Sequence, residues 1–387
     1  MSLDIGVYGA RGIPSTYSGY ETFLTTLLPE LVDRGHSVTM YCRRGQGMDG
    51  GTWKGVQRRV LPALPGKSLN TLSHGLVAAM VARRARHDVV LAVNVANALY
   101  CAVGRMTAQP TVLNTDGQEW LRGKWGRAAR TVFHQSARHA GGWASALVAD
   151  CQAMADIYAD DFGSPSTVIP YCAPSIDWEA GSAGPRDHDV EPGGYLVIAG
   201  RLNPENNIDK VAEVIAVSDL DLPLLVLGTA NYDSPVTSRL AELAASDDRI
   251  RLIGHVEDRD EFLGLLHHAA VYIHGHSVGG INPSLIEAMT TGARIIALDT
   301  PFNREALGPD AATFSLDPPD LVERLESTLA QTPAIEMERR DVARQRIAEQ
   351  YPIKAVVDAY ESILVKASGR RRRRHIAIPT RWARASK

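Results

Sequence analysis

Short apolar runs of strand length alternate with helix-period segments along almost the whole chain, and glycines cluster where the strands end. Parallel strands need crossover helices and lie buried on both faces, so this alternation predicts a parallel α/β architecture. In the first half, strands are expected at Ile5–Tyr8, Ser37–Cys42, Val89–Asn94, Thr111–Asn114 and Leu147–Ala149. Between the first two, Glu21–Arg34 places Phe23, Leu24, Leu27, Leu28, Leu31 and Val32 on one helical face, and Gly35 ends the helix. Residues 173–194, rich in Pro, Gly and acid, break the rhythm as a linker would. A second series follows, with strands at Tyr195–Ala199, Leu224–Leu227, Arg251–Ile253, Val271–His274 and Ile295–Leu298 and a last helix over about 353–366. At 387 residues the chain exceeds one compact core. Two doubly wound domains are therefore expected, with an interdomain cleft and ligands beyond the carboxyl ends of the strands.

Composition narrows the class. With 45% hydrophobic and 22% charged residues, the chain falls in the range of soluble globular proteins. No apolar run approaches the roughly 18 residues of a membrane span. The N-terminal MSLDIGVYGA enters a strand directly, so no signal peptide is expected. Cys42, Cys101, Cys151 and Cys172 are scattered, with no CxxC or clustered His/Cys spacing, and read as reduced thiols of a cytoplasmic protein without a metal site. The net charge of −3 conceals an asymmetry: residues 1–150 carry 17 Lys/Arg against nine Asp/Glu, and residues 370–387 carry eight basic residues and no acid. A basic first domain and tail suggest an anionic partner. RRRRR followed by Trp382 favours a membrane surface, and no aromatic-interleaved basic motif in the folded part supports nucleic acid.

Candidate chemistry sits in the strand-end loops. HGHSVGGINPSLIEAM follows a strand, and Gly275, Gly279 and Gly280 let backbone amides approach a ligand. Asn282 is a good N-cap and Pro283 suits the first helical position of a helix running to about Thr291. Free amides and the dipole at such a start favour phosphate, while Glu287, one turn in, is placed to grip a sugar hydroxyl. His274 and His276 flank Gly275 and either reach the donor or bond to backbone; Asn303 either lines the same site or caps the next helix. In the first domain, Gly6, Gly9 and Gly12 imitate a dinucleotide fingerprint, but the next strand ends in MYCRRG with no acid for a ribose. Gly12, Gly19 and Glu21 are instead expected to contact acceptor or phosphate. NTDGQEWLRGKWGRAAR offers Asp116 under the reacting sugar, with Glu119, Arg122, Lys124, Arg127 and Arg130 as acceptor or phosphate contacts or as a solvated face. Arg201, at the end of the strand before GRLNPENNID, is aimed to neutralise a leaving diphosphate.

Taken together, GARGIPSTYSGYETF, NTDGQEWLRGKW, GRLNPENNID and HGHSVGGINPSLIEAM resemble the GT-B retaining glycosyltransferases of family 4. More narrowly, they resemble a bacterial rhamnosyltransferase-like branch with a DUF1972-type first domain. The resemblance spans residues 4 to about 366. It implies two Rossmann-like domains: an acceptor domain over 1–172 and, after the linker at 173–194, a nucleotide-sugar domain over 195–350. A helix over 351–368 would cross back to the first domain, leaving a basic tail over 369–387. The wider family's Glu-x7-Glu motif would place acids at 279 and 287, but Gly279 stands at the first; Asn206 stands where its diphosphate lysine would be. The implied activity is retaining, metal-independent hexosyl transfer to a saccharide or lipid-linked saccharide in cell-surface polysaccharide synthesis. No cofactor is implied beyond the co-substrate, for which dTDP-rhamnose is the best expectation. The protein would sit peripherally on the cytoplasmic face of the membrane, held through its basic first domain and tail. A nucleotide-sugar epimerase on the same scaffold and a non-catalytic glycan-assembly partner are the alternatives. The Asp-x-Asp at Asp187–Asp189 falls in the linker and reads as solvated loop.

Overall fold

In the computed structural model, the described residues are 2–14, 19–44, 50–123, 125–173, 188–230 and 234–369. Lys124, most of the expected linker including Asp187, and the basic tail lie outside them. The chain forms two α/β units: one holds residues 1–121, 125–172 and 352–387, the other 122–124 and 173–351. The boundary between the units falls between Cys172 and Ala173, and the chain returns to the first unit at Pro352.

The first unit is an eight-stranded sheet of β1 (Asp4–Tyr8), β2 (Ser37–Arg43), β3 (Gly51–Trp53), β4 (Val56–Leu61), β5 (Val89–Val93), β6 (Thr111–Asn114), β7 (Ala146–Ala149) and β8 (Thr167–Val168). Its order is β3-β4-β2-β1-β5-β6-β7-β8, parallel except for the β3–β4 pair. The connections carry α1 (Gly19–Asp33), α2 (Lys67–Ala85), α3 (Ala98–Met106), α4 (Arg127–Trp143) and α5 (Gln152–Phe162). The continuous apolar runs at β1, β2, β5 and β6 are buried on both faces, as parallel strands require. Leu24, Leu27, Leu28 and Leu31 of α1 pack onto them as the helical spacing predicted, and Gly35 ends α1 at φ +87°.

The second unit contains β9 (Leu196–Ala199), β10 (Leu224–Leu227), β11 (Ile250–Gly254), β12 (Val271–His274), β13 (Ile295–Leu298) and β14 (Thr313–Phe314). All are parallel, in the order β11-β10-β9-β12-β13-β14, the doubly wound arrangement whose strand order reverses between β9 and β12. Around them run α6 (Ile208–Val217), α7 (Pro235–Ser246), α8 (Arg259–His267), α9 (Pro283–Thr291), α10 (Pro301–Leu307), α11 (Pro318–Leu329) and α12 (Pro333–Gln350). The last helix, α13 (Ile353–Ala367), does not belong to this unit. Its Val356, Val357, Tyr360, Leu364 and Val365 complete the core of the first. In each sheet the switch point falls beside a glycine loop: β1 and β5 flank it in the first, β9 and β12 in the second.

Candidate active site

In the second unit, the loops after β9 and β12 are knitted into one structure. Gly275 lies under the Asn206 carbonyl so closely that a Cβ would stand 2.5 Å from its oxygen, which excludes any other residue. Asn207 Nδ2 donates to the Gly275 carbonyl at 2.8 Å, and both the amide and the hydroxyl of Ser277 donate to the Glu205 carbonyl at 2.9 Å. Asn206, buried, donates from Nδ2 to the Arg201 carbonyl at 2.6 Å and meets His276 Nδ1 with Oδ1 at 2.5 Å. Because the Asn206 amide nitrogen is already committed, Oδ1 must accept, and His276 carries its proton on Nδ1. In place of the lysine of the wider family, Asn206 is therefore a brace that sets the Arg201 backbone and the His276 ring. Glu205, which the sequence reading passed over, is buried with its carboxylate 3.8 Å from Arg122.

Two groups are left uncommitted by this bracing. No hydrogen bond or ion pair holds the half-buried Arg201 guanidinium among the described residues. The amides of Gly279, Gly280 and Ile281 likewise make none there. Behind them α9 starts as expected: Asn282 caps it through Oδ1, which accepts from Ser284 N at 3.0 Å, and Pro283 holds the first position. Gly279 has φ +108°, a conformation that L side chains rarely adopt, so the loop itself requires glycine where the family's acid would stand. Glu287 is buried, with Oε1 accepting from Arg259 Nη2 of α8 at 2.8 Å. Burial pushes its carboxyl up, opposed by Arg259, a partner nothing in the sequence announced.

The neighbouring polar residues take positioning roles. Asn303 is not the cap of α10; Thr300 is, its hydroxyl accepting from Asn303 N. Asn303 lies buried inside the helix, donating to the His276 and Leu298 carbonyls at 3.1 and 2.7 Å, and so fastens the loop instead of lining the site. His274 is buried, and its Nδ1 lies 3.1 Å from the Tyr272 hydroxyl, a side-chain partner instead of a backbone one. Burial pushes its imidazole down to about 3. The His276 imidazole is lowered too, by burial first and then by His274, Arg122 and Arg201.

In the first unit, Gly9 has φ +116° and a Cβ there would stand 2.1 Å from the Val93 carbonyl oxygen, which brings the β1 loop against the end of β5. Gly12 is also left-handed, at φ +148°, and Gly19 opens α1. Glu21, buried in the first turn of α1, accepts from Arg11 N at 3.2 Å; burial raises its carboxyl, opposed by Arg11 and Arg43. Arg43 at the tip of β2 is buried as well, donating to the Gly9 carbonyl at 3.1 Å and to Asn70 and Thr71 at 3.3 Å. Desolvation lowers its guanidinium to about 10. His74 is fully buried, pushed down to about 4 by burial and then by Arg43. The sequence reading named Glu21 but missed Arg43 and His74 beside it; their one signal was MYCRRG ending a strand with arginine instead of acid.

Asp116 follows β6 at φ +54°, half-buried, a conformation that a short polar side chain tolerates. Its carboxylate accepts from Asn94 Nδ2 at 3.0 Å and from the Tyr171 hydroxyl at 3.3 Å, and its amide donates to Asn114 Oδ1 at 2.8 Å. Asp150, buried at the end of β7, is a second strand-end carboxylate that the sequence reading did not select. Burial raises the hydroxyl of Tyr171, and Asp116 and Asp150 raise it further. Glu119, read as an acceptor contact, instead accepts from Trp125 Nε1 at 2.6 Å and is buried. Arg130 donates to the Trp120 carbonyl at 3.0 Å. Arg122, expected on the acceptor domain, groups by its contacts with the second unit.

The buried histidines predict a pH response. His74 and His274 are neutral when folded, whereas unfolded histidine takes up a proton near pH 6.5. The unfolded chain then binds more protons, so stability is lost as pH falls from 6.5 toward about 4 for His74 and about 3 for His274. The raised Glu21 and Glu287 act in the opposite sense: the stability they contribute is present below the ordinary value of 4.5 and is lost as pH rises through their folded values. Urea midpoints are expected to fall between pH 7 and 5.5, at up to about 1.4 kcal/mol per pH unit for each histidine. In His74→Leu the slope should be shallower; an unchanged slope would mean that this ring is protonated in the fold.

Known proteins match these two units. Residues 18–172 match the family model described as a glycosyl transferase 4-like domain, and residues 187–349 match glycosyl transferases group 1. None of the curated proteins matches the chain. Among solved structures, sucrose-phosphate synthase from Thermosynechococcus elongatus is similar at 16% identity and a TM-score of 0.77, over 94% of this chain and 98% of that one. Anabaena HepE in complex with UDP-glucose aligns at 14% identity and a TM-score of 0.71, over 94% and 99%. The UDP-forming α,α-trehalose-phosphate synthase from Burkholderia vietnamiensis aligns at 10% identity and a TM-score of 0.70, over 94% and 100%. At these identities the structures show the fold, and the two family models, which together take in most of the chain, show the class. The chain is a glycosyltransferase of the GT-B architecture, a glycosyl transferase 4-like domain followed by a group 1 domain.

Proposed function

We propose that the protein transfers a sugar, with retention and without a metal, from a nucleoside diphosphate to a saccharide or lipid-linked saccharide at the cytoplasmic face of a membrane. The observation that carries this reading is that, among the described residues, neither the Arg201 guanidinium nor the amides of Gly279, Gly280 and Ile281 ahead of α9 make a hydrogen bond. A departing diphosphate carries the negative charge that such fixed donors stabilise, and it draws more from them as the glycosidic bond breaks. Glu287 offers Oε2, which makes no hydrogen bond among the described residues, to a hydroxyl of the nucleotide sugar. In the first unit, Asp116 is held by Asn94, Asn114 and Tyr171 and orients the sugar, while the Gly9–Gly12 loop and the Glu21–Arg43 pair receive the acceptor. Support for a nucleoside diphosphate donor comes from HepE and the trehalose-phosphate synthase, whose solved forms are described with UDP-glucose and as UDP-forming. Rhamnose rests on the family resemblance alone; Gly279, standing where the wider family has a sugar-contacting acid, separates the donor from those of the wider family's mannosyl- and glucosyltransferases.

The test is a panel of dTDP-rhamnose, dTDP-glucose, UDP-glucose and GDP-mannose in buffer containing EDTA, read by thermal stabilisation and by turnover with and without acceptor saccharides. At 100 times the Kd, a bound donor adds about 2.7 kcal/mol to stability, a readable shift. The expected result is stabilisation by dTDP-rhamnose and transfer that keeps the anomeric configuration. Stabilisation by another donor alone replaces rhamnose, activity only when metal is restored removes the metal-free mechanism, and an epimerised donor formed without acceptor replaces transfer itself.

A further inference from the structure

We propose that the outward face of α2 is a docking surface for an anionic lipid bilayer. This helix is packed the reverse way from an ordinary amphipathic one. Its buried positions are His74, Gly75, Ala78, Ala79 and Ala82, whereas Leu69, Leu76 and Met80 stand 51%, 43% and 53% exposed. The inversion has a steric cause: a Cβ on Gly75 would stand 2.1 Å from Asn97 Oδ1 and 2.7 Å from the Tyr100 ring, so α2 lies too close to α3 for a large inward side chain. At 100° per residue, positions 69, 76 and 80 fall on one line along the helix, and Arg83 and Arg84 continue it. Leu64, 54% exposed, stands just ahead of the helix start.

The charge beside this stripe is of one sign. Arg83, Arg84, Arg86 and His87, with the turn at 107–110, line a cavity of about 500 Å³, and Met106 before that turn is 86% exposed. Asp88 is the only acid between Asp49 and Asp116. The nearest acids are engaged: Asp88 accepts from the Asp4 amide at 2.9 Å, and Asp4 pairs with His87 Nδ1 at 2.8 Å. An apolar stripe ending in arginines matches the boundary between acyl chains and anionic headgroups, into which an interfacial helix sinks its apolar side chains. No helix among the described residues is long and apolar enough to cross a membrane. A second copy of the chain is a poor occupant, since face-to-face contact would set arginines against arginines.

The inference takes its purpose from the lipid-linked acceptor proposed above, but vesicle binding is read without donor or acceptor. The full-length protein would be sedimented with vesicles of phosphatidylcholine alone and of phosphatidylcholine mixed with phosphatidylglycerol, at low and high salt. Wild type should bind the mixed vesicles selectively. The triple variant Leu69→Gln/Leu76→Gln/Met80→Gln should lose the salt-resistant part of that binding, about tenfold or more, and Arg83→Gln/Arg84→Gln/Arg86→Gln should lose the salt-sensitive part by a similar factor. Both variants should keep the wild-type circular dichroism spectrum and transfer to soluble acceptors, because the changed side chains are exposed. Undiminished vesicle binding by both variants would overturn the proposal, as would a wild-type dimer that the apolar variant dissociates. Loss of vesicle binding in a protein that transfers no sugar would leave it standing and remove the transferase mechanism instead.

Discussion

Replacing Arg201 by alanine is expected to lower kcat for sugar transfer by about 10²–10³-fold, about 3–4 kcal/mol of transition-state stabilisation, with a smaller rise in donor KM. The asymmetry follows from when the charge appears. The intact nucleotide sugar already carries part of the diphosphate charge, but the glycosidic oxygen becomes negative only as the bond breaks, so the guanidinium contributes more to the transition state than to the bound donor. Folding should be indifferent to the change, because no hydrogen bond or ion pair ties the Arg201 side chain to the described residues. Arg201→Lys should recover part of the rate, since an ammonium keeps the charge but loses the planar fork. Steady-state kinetics with the donor identified by the panel, alongside urea unfolding, would check this. If donor KM rose by the whole factor with kcat intact, Arg201 would be a ground-state binder and the departing diphosphate would need another cation.

The contrast between Arg201 and the residues around it shows how far the sequence can be read. Arg201 and Asp116 were legible because they follow buried parallel strands, whose continuous apolar runs are hard to mistake, and loops at such strand ends face ligands. The limits of α9 were legible for a similar reason: Asn282, Pro283 and Gly292 mark its ends by local chemistry alone. What stayed hidden depends on partners distant in the chain. Arg259 reaches Glu287 across 28 residues, Asn206 reaches His276 across 70, and Arg122 faces Glu205. Those pairings decide that Glu205, Asn206 and Asn303 brace the loops while Arg201 is left open. Strands at and beside the sheet edges were missed too: β3 is only GTW, β4 carries exposed Gln57 and Arg59, and β8 and β14 are two residues long, so none presents the apolar run that betrays a central strand. The orientation of α2 was unreadable because Gly75 draws the helix onto Asn97 and Tyr100 and turns the larger apolar side chains outward.

Tyr360 ties the last helix to the chemistry of the first domain, and its substitution should separate stability from activity. The ring is fully buried among the first-domain core, 5.5 Å from Phe23, and its hydroxyl accepts from Asn114 Nδ2 at 2.6 Å. Asn114 in turn accepts from the Asp116 amide through Oδ1, so the hydroxyl, the carboxamide and the left-handed Asp116 form one chain of support. Tyr360→Ala removes a large buried ring and is expected to cost about 3–5 kcal/mol by urea unfolding, a large share of the roughly 5–15 kcal/mol of an ordinary fold. Tyr360→Phe keeps the ring but strips the buried Asn114 amide of this partner, a cost of about 1–3 kcal/mol. The phenylalanine variant should fold, yet transfer more slowly than wild type, because an Asn114 free to turn no longer fixes the Asp116 backbone. Adding Asp116→Asn to it should then cost less in kcat than the same change in the wild type, as coupled positions require. Full activity in Tyr360→Phe, or additive losses in the double variant, would confine Tyr360 to packing.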